Sequence, residues 1–295
     1  MKPAPFEYLV PQSLDEALSM LNEHGSDAKV LAGGQSLVPA MNFRVAQPQI
    51  LVDLNCLAEL DYIRQDGGSG LRIGAMTRQR RLEVDETIAG GAPLLAEAMP
   101  YVAHPQIRNR GTLGGSLAHA DPAAELPVIA LALEARLLAR SAAGERWIPA
   151  DQFFLGMFTT DLAPEEILIE VDLPALQPGT GWSFMEVARR QGDYAMLGVA
   201  ALLSLDERGA CQSARLVYLN AGDGPVEARE AARSLLGESL SGKEIENAAE
   251  LVDQEIDPWG NVHASPAYQR HLARTLTRRA LEKARERAAQ PPVLP

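Results

Sequence analysis

Two glycine turns of related shape constrain this chain more than any other feature. The first, Ala32-Gly33-Gly34-Gln35-Ser36, directly follows the apolar run Val30-Leu31. The second, Gly111-Thr112-Leu113-Gly114-Gly115-Ser116, is entered through Ile107-Arg108-Asn109-Arg110. Paired glycines accept φ > 0 and let backbone N–H groups approach phosphate oxygens with no side chain in the way. The hydroxyls of Ser36, Thr112 and Ser116 add donors at the same edges. One such turn alone fits a tight strand-to-helix connection as well as it fits a ligand. Two, each between apolar segments, point to one extended dinucleotide clamped from both sides. The first is not a P-loop, because no Gly-Lys-Ser/Thr follows, and it is not G-x-G-x-x-G.

Length and charge narrow the field. At 295 residues two domains are expected, and 46% apolar with 22% charged residues is ordinary for a globular protein. With 27 Lys+Arg against 39 Asp+Glu the net charge is −12, which disfavours nucleic acid and anionic membrane as partners. The cysteines, Cys56 and Cys211, are too few to hold an iron–sulfur cluster or a four-thiolate zinc site. The five histidines show no metal-ligand spacing, so no metal site is expected. Lys2 leads into Pro3, Pro5 and Glu7 without an apolar signal segment, and no apolar run reaches the ~20 residues of a membrane span. A cytoplasmic protein is the expectation.

The local patterns suggest an order of elements. Ser13-Leu14-Asp15-Glu16 resembles a helix N-cap, Leu14, Ala17, Leu18 and Leu21 mark a buried face, and Gly25 stops the helix. Lys29-Val30-Leu31 and Ile50 to Leu54 read as strands of a small βαβ unit, with the first glycine turn at a strand's carboxyl end. Leu71 to Ala75 reads as strand and Leu82 to Val102 mostly as helix; Ala123 to Ala132 resembles a buried segment. Ala135 to Ala139, Arg146 to Ile148 and Glu166 to Val171 are strand-like, giving a second, mainly antiparallel subdomain. Leu173 to Gly181 is the best linker. Beyond it, Trp182 to Val187, Leu197 to Leu205 and Ala214 to Leu219 suggest a three-stranded antiparallel sheet, followed by helices over Val226 to Leu236, Lys243 to Ile256 and Pro266 to Ala289. In the last helix Tyr268, Leu272, Leu276 and Ala280 share a core face opposite Arg270, Arg274 and Arg278. The tail Gln290-Pro291-Pro292 is expected to fray.

After the second turn comes His119-Ala120-Asp121-Pro122-Ala123-Ala124-Glu125. Asp121 before Pro122 reads either as the N-cap of the next helix or as polar lining for a ligand. Gln191-Gly192-Asp193-Tyr194 reads as an ordinary hairpin turn carrying an aromatic. No Ser/His/Asp or Cys/His set is visible, so redox or catalytic chemistry would belong to a cofactor.

Leu31 to Pro39 with Met41-Asn42-Phe43-Arg44, and Ile107 to Ala124, resemble the two FAD loops of the molybdenum hydroxylase flavoproteins. The nearest group is the medium, FAD-binding subunit of carbon monoxide dehydrogenase-like enzymes, akin to the FAD domain of xanthine dehydrogenase. Phe184 to Tyr194 and Tyr268 to Leu281 resemble that group's C-terminal domain, so the likeness covers nearly the whole chain. It implies an α+β fold: a two-subdomain FAD-binding domain of the vanillyl-alcohol-oxidase type over 1–176 (about 1–55 and 56–176), then a small C-terminal α+β domain over 177–288. It also implies an electron-transfer role in a dimer of heterotrimers. A large subunit would carry the molybdenum cofactor and a small subunit two [2Fe–2S] clusters, with FAD held non-covalently on this chain.

By position, the resemblance assigns Ala32, Gly33, Gly34, Gln35, Ser36, Leu37, Thr112, Gly114, Gly115 and Ser116 to the diphosphate. It assigns polar cofactor contacts to His119, Asp121 and Glu125, where the family often has Asp in place of Glu125. Leu168 would pack near the isoalloxazine and Tyr194 would shield it. Met185 stands where xanthine dehydrogenase-like relatives carry a Lys, so no cationic contact is expected there. Many stand-alone flavin oxidases of the superfamily attach FAD to a His after the first Gly-Gly; here that residue is Gln35. Such an oxidase, or a non-enzymatic assembly protein that kept the fold, are the alternatives. The substrate of the complex, whether carbon monoxide, a purine, a nicotine-like heterocycle or an aldehyde, would sit on another chain, and the electron acceptor is left open among quinone, cytochrome, NAD and oxygen.

Overall fold

The N-terminal sheet is parallel because a helix or loop crossover separates its paired strands and returns the chain in the same direction. The computed structural model of the chain describes residues 1–65, 67, 68 and 70–290; Pro291 and Pro292 of the tail lie outside the described residues. Strands β1 (Glu7–Leu9), β2 (Ala28–Leu31) and β3 (Ile50–Asp53) pair in the order β1-β3-β2, both pairs parallel. Sequence pattern alone did not reveal β1, three residues long with two of them exposed. Helix α1 (Leu14–His24) is capped by Ser13, whose side chain accepts from the Glu16 N–H at 3.2 Å, and ends at Gly25. Glu16 reaches back one residue further than a capping box would have it, accepting from the Gln12 N–H at 2.6 Å. The first glycine turn runs from β2 into α2 (Leu37–Asn42).

The second layer is the expected antiparallel sheet. Strands β4 (Ile63–Gln65) and β5 (Leu71–Gly74) are followed by α3 (Gln79–Val84), α4 (Glu86–Gly91), α5 (Pro93–Ala98) and α6 (Pro105–Arg108). The segment read as mostly helix from Leu82 to Val102 is helical in several short pieces. Asp85 restarts the chain by accepting from the Thr87 N–H at 2.9 Å, and Pro93, lacking an N–H, opens α5. Helices α7 (Leu113–His119) and α8 (Glu125–Ala132) precede β6 (Arg136–Ser141), β7 (Gly144–Pro149), α9 (Ala150–Phe153), the small hairpin β8 (Phe154–Gly156) and β9 (Thr159–Thr160), and β10 (Ile167–Leu173). The sheet order is β4-β5-β10-β6-β7.

Strand β10 is buried along its whole length, and a bulge between Leu168 and Glu170 decides its faces. Ile167 and Ile169 join the core of the N-terminal subdomain, with Leu14, Leu18, Leu21 and Val52. Leu168, Val171 and Leu173 join the larger core beneath α5, α7 and α8.

The C-terminal sheet has one strand more than expected. Strands β11 (Thr180–Val187), β12 (Leu197–Leu205) and β13 (Cys211–Leu219) are joined by β14 (Val226–Glu227), which pairs with Val217 and Tyr218. The segment read as helix from Val226 therefore starts as an edge strand. Only Arg229–Arg233 is helical (α10), because the open edge of β13 satisfies the backbone of Val226 and Glu227 first. Helix α11 (Gly242–Leu251) and helix α12 (Pro266–Ala288) complete the chain. Leu272, Leu276 and Ala280 are buried against the sheet, while Tyr268 lies at the surface, 44% exposed. Arg270, Arg274 and Arg278 hold the segment before α12, bonding Asp253 and Glu246.

One face of this sheet packs on α12, and the other belongs to the same core as α5 and α8. Glu97 of α5 ties the two halves together, pairing with Lys283 at 2.7 Å and with Arg287 of α12.

Candidate functional site

The fold brings the two glycine turns into direct contact. The backbone of Gly33 lies against Arg110 and Gly111, and the backbone of Gly115 faces the Ala32 methyl. Gly34 has φ +73, a conformation that side-chain-bearing residues rarely adopt. Gln35 does not face outward: its Nε2 donates to the Gly33 carbonyl at 3.1 Å and braces the turn from within. Val38 N–H closes the entry to α2 on the Gly34 carbonyl at 3.1 Å. Among the described residues, no protein acceptor takes the backbone N–H of Gly33, Gly34, Gln35 or Ser36. Successive free N–H groups at a glycine turn make an anion-binding concavity, so the first turn suits a diphosphate.

The second turn is anchored on the segment that leaves β5. Leu113 N–H donates to the Thr77 carbonyl at 3.0 Å, Gly114 N–H to the Ala75 carbonyl at 2.8 Å, and Gln79 N–H to the Gly111 carbonyl at 2.9 Å. Thr112 caps α7 by accepting from the Gly115 N–H at 3.0 Å. The N–H groups of Gly114 and Gly115 are thus already engaged within the protein. Gly114 is small for packing: a Cβ there would stand 2.5 Å from the Ala75 Cβ. Thr112 is itself buried. Arg108 is structural. Buried, it forms a two-pronged pair with Glu83 at 2.8 and 2.9 Å and donates to the carbonyls of Val102 and Ala103, both at 2.9 Å.

Beyond the turns lies a cluster of carboxyls and phenols. His119 ends α7 with its ring 5.0 Å from that of Phe158; burial holds its imidazole below the ordinary value, partly offset by Asp121. Asp121 is not the N-cap of α8. Its Oδ1 accepts from the Ala123 N–H at 2.9 Å in a turn, and α8 begins four residues later because the chain must first pass Pro122. Burial pushes the Glu125 carboxyl up to about 7, with Asp121 adding to the rise and its own backbone N–H and Arg108 opposing it.

Glu186, on β11, was not singled out in the sequence. Burial pushes it up to about 8, Glu125 adds to the rise, and its Oε2 has no hydrogen-bond partner among the described residues. Tyr101 lies within electrostatic reach of Glu186 and Glu97, and Tyr194 within reach of Asp121 and Glu125. The Tyr101 phenol is raised by burial and then by Glu186, the Tyr194 phenol by partial burial and then by Asp121 and Glu125. Tyr194 itself is 74% exposed. Leu168 is the site candidate set apart, buried in the core with Leu113 and Leu117. A cavity of about 400 Å³ lies elsewhere, between Glu134, Arg215, Glu227 and Arg233, and shares no residue with the turns. Among the described residues no group of three or more His, Cys, Asp or Glu side chains is placed to hold a metal ion. No helix among them is long and apolar enough to cross a membrane.

Comparison with known proteins gives the family. Residues 4–176 match the FAD binding domain in molybdopterin dehydrogenase, and residues 182–284 match the CO dehydrogenase flavoprotein C-terminal domain. The chain is 46% identical to the 6-hydroxypseudooxynicotine dehydrogenase complex subunit alpha of Paenarthrobacter nicotinovorans, covering 98% of this chain and 97% of that one. It is 38% identical to the carbon monoxide dehydrogenase medium chain of Hydrogenophaga pseudoflava over 98% of this chain and 100% of that one. The solved carbon monoxide dehydrogenase from the same organism superposes with a TM-score of 0.95, covering 98% of this chain and 100% of its counterpart. The quinoline 2-oxidoreductase of Pseudomonas putida 86 superposes with a TM-score of 0.93 at 39% identity, covering 98% and 100%. The chain therefore belongs to the FAD-binding medium-subunit family of molybdenum-containing dehydrogenases.

Proposed function

We propose that this chain is the electron-transfer flavoprotein of a molybdenum hydroxylase complex, taking electrons from [2Fe–2S] clusters on a small subunit and passing them to an external acceptor. In this reading a large subunit carries the molybdenum cofactor, and the assembly is a cytoplasmic dimer of heterotrimers. The observation that carries it is the meeting of the two glycine turns around an edge of free N–H groups. FAD bound there supplies redox chemistry that accepts electrons singly and releases them in pairs.

The chain's own residues hold and orient. Ala32 to Leu37 present N–H groups to the diphosphate, and Thr112 and Ser116 add hydroxyl donors from the facing turn; Gly114 and Gly115 keep that turn narrow. His119, Asp121 and Glu125 line the polar side of the cofactor, Tyr194 covers the flavin ring, and Leu168 supports it from the core. We divide the chain into an FAD-binding part, 1–176, and a C-terminal part, 177–288. Relatives of comparable likeness are named for 6-hydroxypseudooxynicotine, carbon monoxide and caffeine, which supports a shared electron-handling role with the substrate read on another subunit.

The test is redox titration. The isolated flavinated chain is expected to bleach with dithionite and to stay oxidised with carbon monoxide, xanthine or nicotine. Adding the large and small subunits of the native complex should give substrate-dependent bleaching. Rapid bleaching of this chain alone by an organic substrate would overturn the reading in favour of a self-contained flavin oxidase.

A further inference from the structure

Two polar side chains from outside both glycine turns join them. Asn55 sits in the short turn that leaves β3, and Arg78 immediately precedes α3. Asn55 Nδ2 donates to the Ala32 carbonyl at 2.9 Å. Arg78 Nη2 donates to Asn55 Oδ1 at 2.6 Å, and Arg78 Nη1 donates to the Arg110 carbonyl. A continuous run of hydrogen bonds therefore links the backbone of the first turn to that of the second. Its root is fixed too: buried Asp53 accepts from the Asn55 N–H at 2.9 Å and from the Tyr8 hydroxyl.

The bonded groups matter because of peptide geometry. In a planar trans peptide the C=O of one residue and the N–H of the next point in opposite directions. Holding the Ala32 carbonyl toward Asn55 therefore aims the Gly33 N–H, which has no protein acceptor, away from the latch and toward the free edge. Arg78 also places a second positive charge beside Arg110. Partial burial and then this like charge hold its guanidinium below the ordinary value, a cost that a bound anion relieves.

We infer that Asn55 and Arg78 are positioning residues that set the spacing and peptide orientation of the two turns for the FAD diphosphate. The inference rests on the diphosphate site proposed above and concerns side chains that do not themselves belong to the glycine turns.

The experiment measures FAD affinity of the deflavinated full chain by quenching of flavin fluorescence, alongside thermal unfolding of the same flavin-free samples. Asn55→Leu and Arg78→Met are each expected to raise Kd about tenfold, the scale of losing a charge-assisted or buried hydrogen bond. The double variant should be little worse than the worse single one, because either change opens the same bridge. Arg78→Lys keeps the charge but lacks the fork that reaches both acceptors, so it should remain weak. Three outcomes overturn the inference: wild-type affinity in both single variants, full recovery in Arg78→Lys, or additive losses in the double variant. If the Met variant unfolds, Arg78→Lys and Asn55→Leu decide alone. Gly34→Val is the control: weak binding in Gly34→Val with normal binding in the latch variants sinks only the latch. Normal binding in Gly34→Val sinks the diphosphate site itself.

Discussion

The backbones of Gly33 and Gly111 touch: a Cβ on Gly33 would stand 2.7 Å from the Gly111 Cα. Residues from the parallel and the antiparallel subdomain thereby form one continuous backbone edge. Neither side of this contact is a flexible side chain, so neither can yield without moving a turn.

That contact and its neighbours separate two kinds of glycine. Gly34 is needed for its φ of +73, and nothing but the Leu31 and Val38 side chains lies near it. Gly34→Val should strain the turn by about 1–2 kcal/mol and release FAD while leaving most of the fold intact. Gly114→Val instead drives a side chain into Ala75 and should cost about 1–3 kcal/mol of overpacking in the flavin-free protein. Melting temperatures of the apo forms, set against flavin content as purified, give the comparison.

Non-covalent attachment follows from Gln35. Its amide nitrogen is committed to the Gly33 carbonyl, and an amide is not a nucleophile able to form the usual flavin linkage. Acid precipitation should leave all the FAD in the supernatant. Yellow colour in the washed pellet would contradict this.

Arg108→Met should destabilise the chain by about 3–5 kcal/mol, the scale of removing one partner of a buried ion pair. Glu83 would keep a charge with its main partner gone, and the carbonyls of Val102 and Ala103 would lose their donor. Urea unfolding of the apo form measures the loss; among the described residues Arg80, 2.8 Å from Glu83, is the counter-charge that remains.

Glu125 and Glu186 make stability depend on pH. Their folded values, about 7 and about 8, lie above the ordinary carboxylate value, so the native state binds more protons than the unfolded chain across that window. Their contribution is complete below about pH 4 and is lost as pH rises toward 8. His119, lowered by burial, acts the other way but is finished above its ordinary value, and Glu83 and Glu166, also lowered, act only in acid. Flavin-free protein should therefore lose melting temperature between pH 7 and 8.5, and Glu186→Gln should flatten that slope. An unchanged slope would show that Glu186 does not hold its proton as its burial implies.

Sequence pattern alone determined what is local. The two glycine turns, the Ser13 cap, the antiparallel strands from Arg136 to Val171 and the long helix from Pro266 all follow from φ, capping and periodicity within a few residues. Tertiary structure decided the rest. The bulge between Leu168 and Glu170 puts Val171 in the core of Leu168 rather than that of Ile169, and the free edge of β13 turns Val226 into strand. Glu186 joins Glu125, and Asn55 and Arg78 link Ala32 to Arg110. Each of these depends on groups far apart along the chain, whose hydrogen bonds and charges interact only after the apolar cores bring the subdomains together; no local pattern encodes that distance.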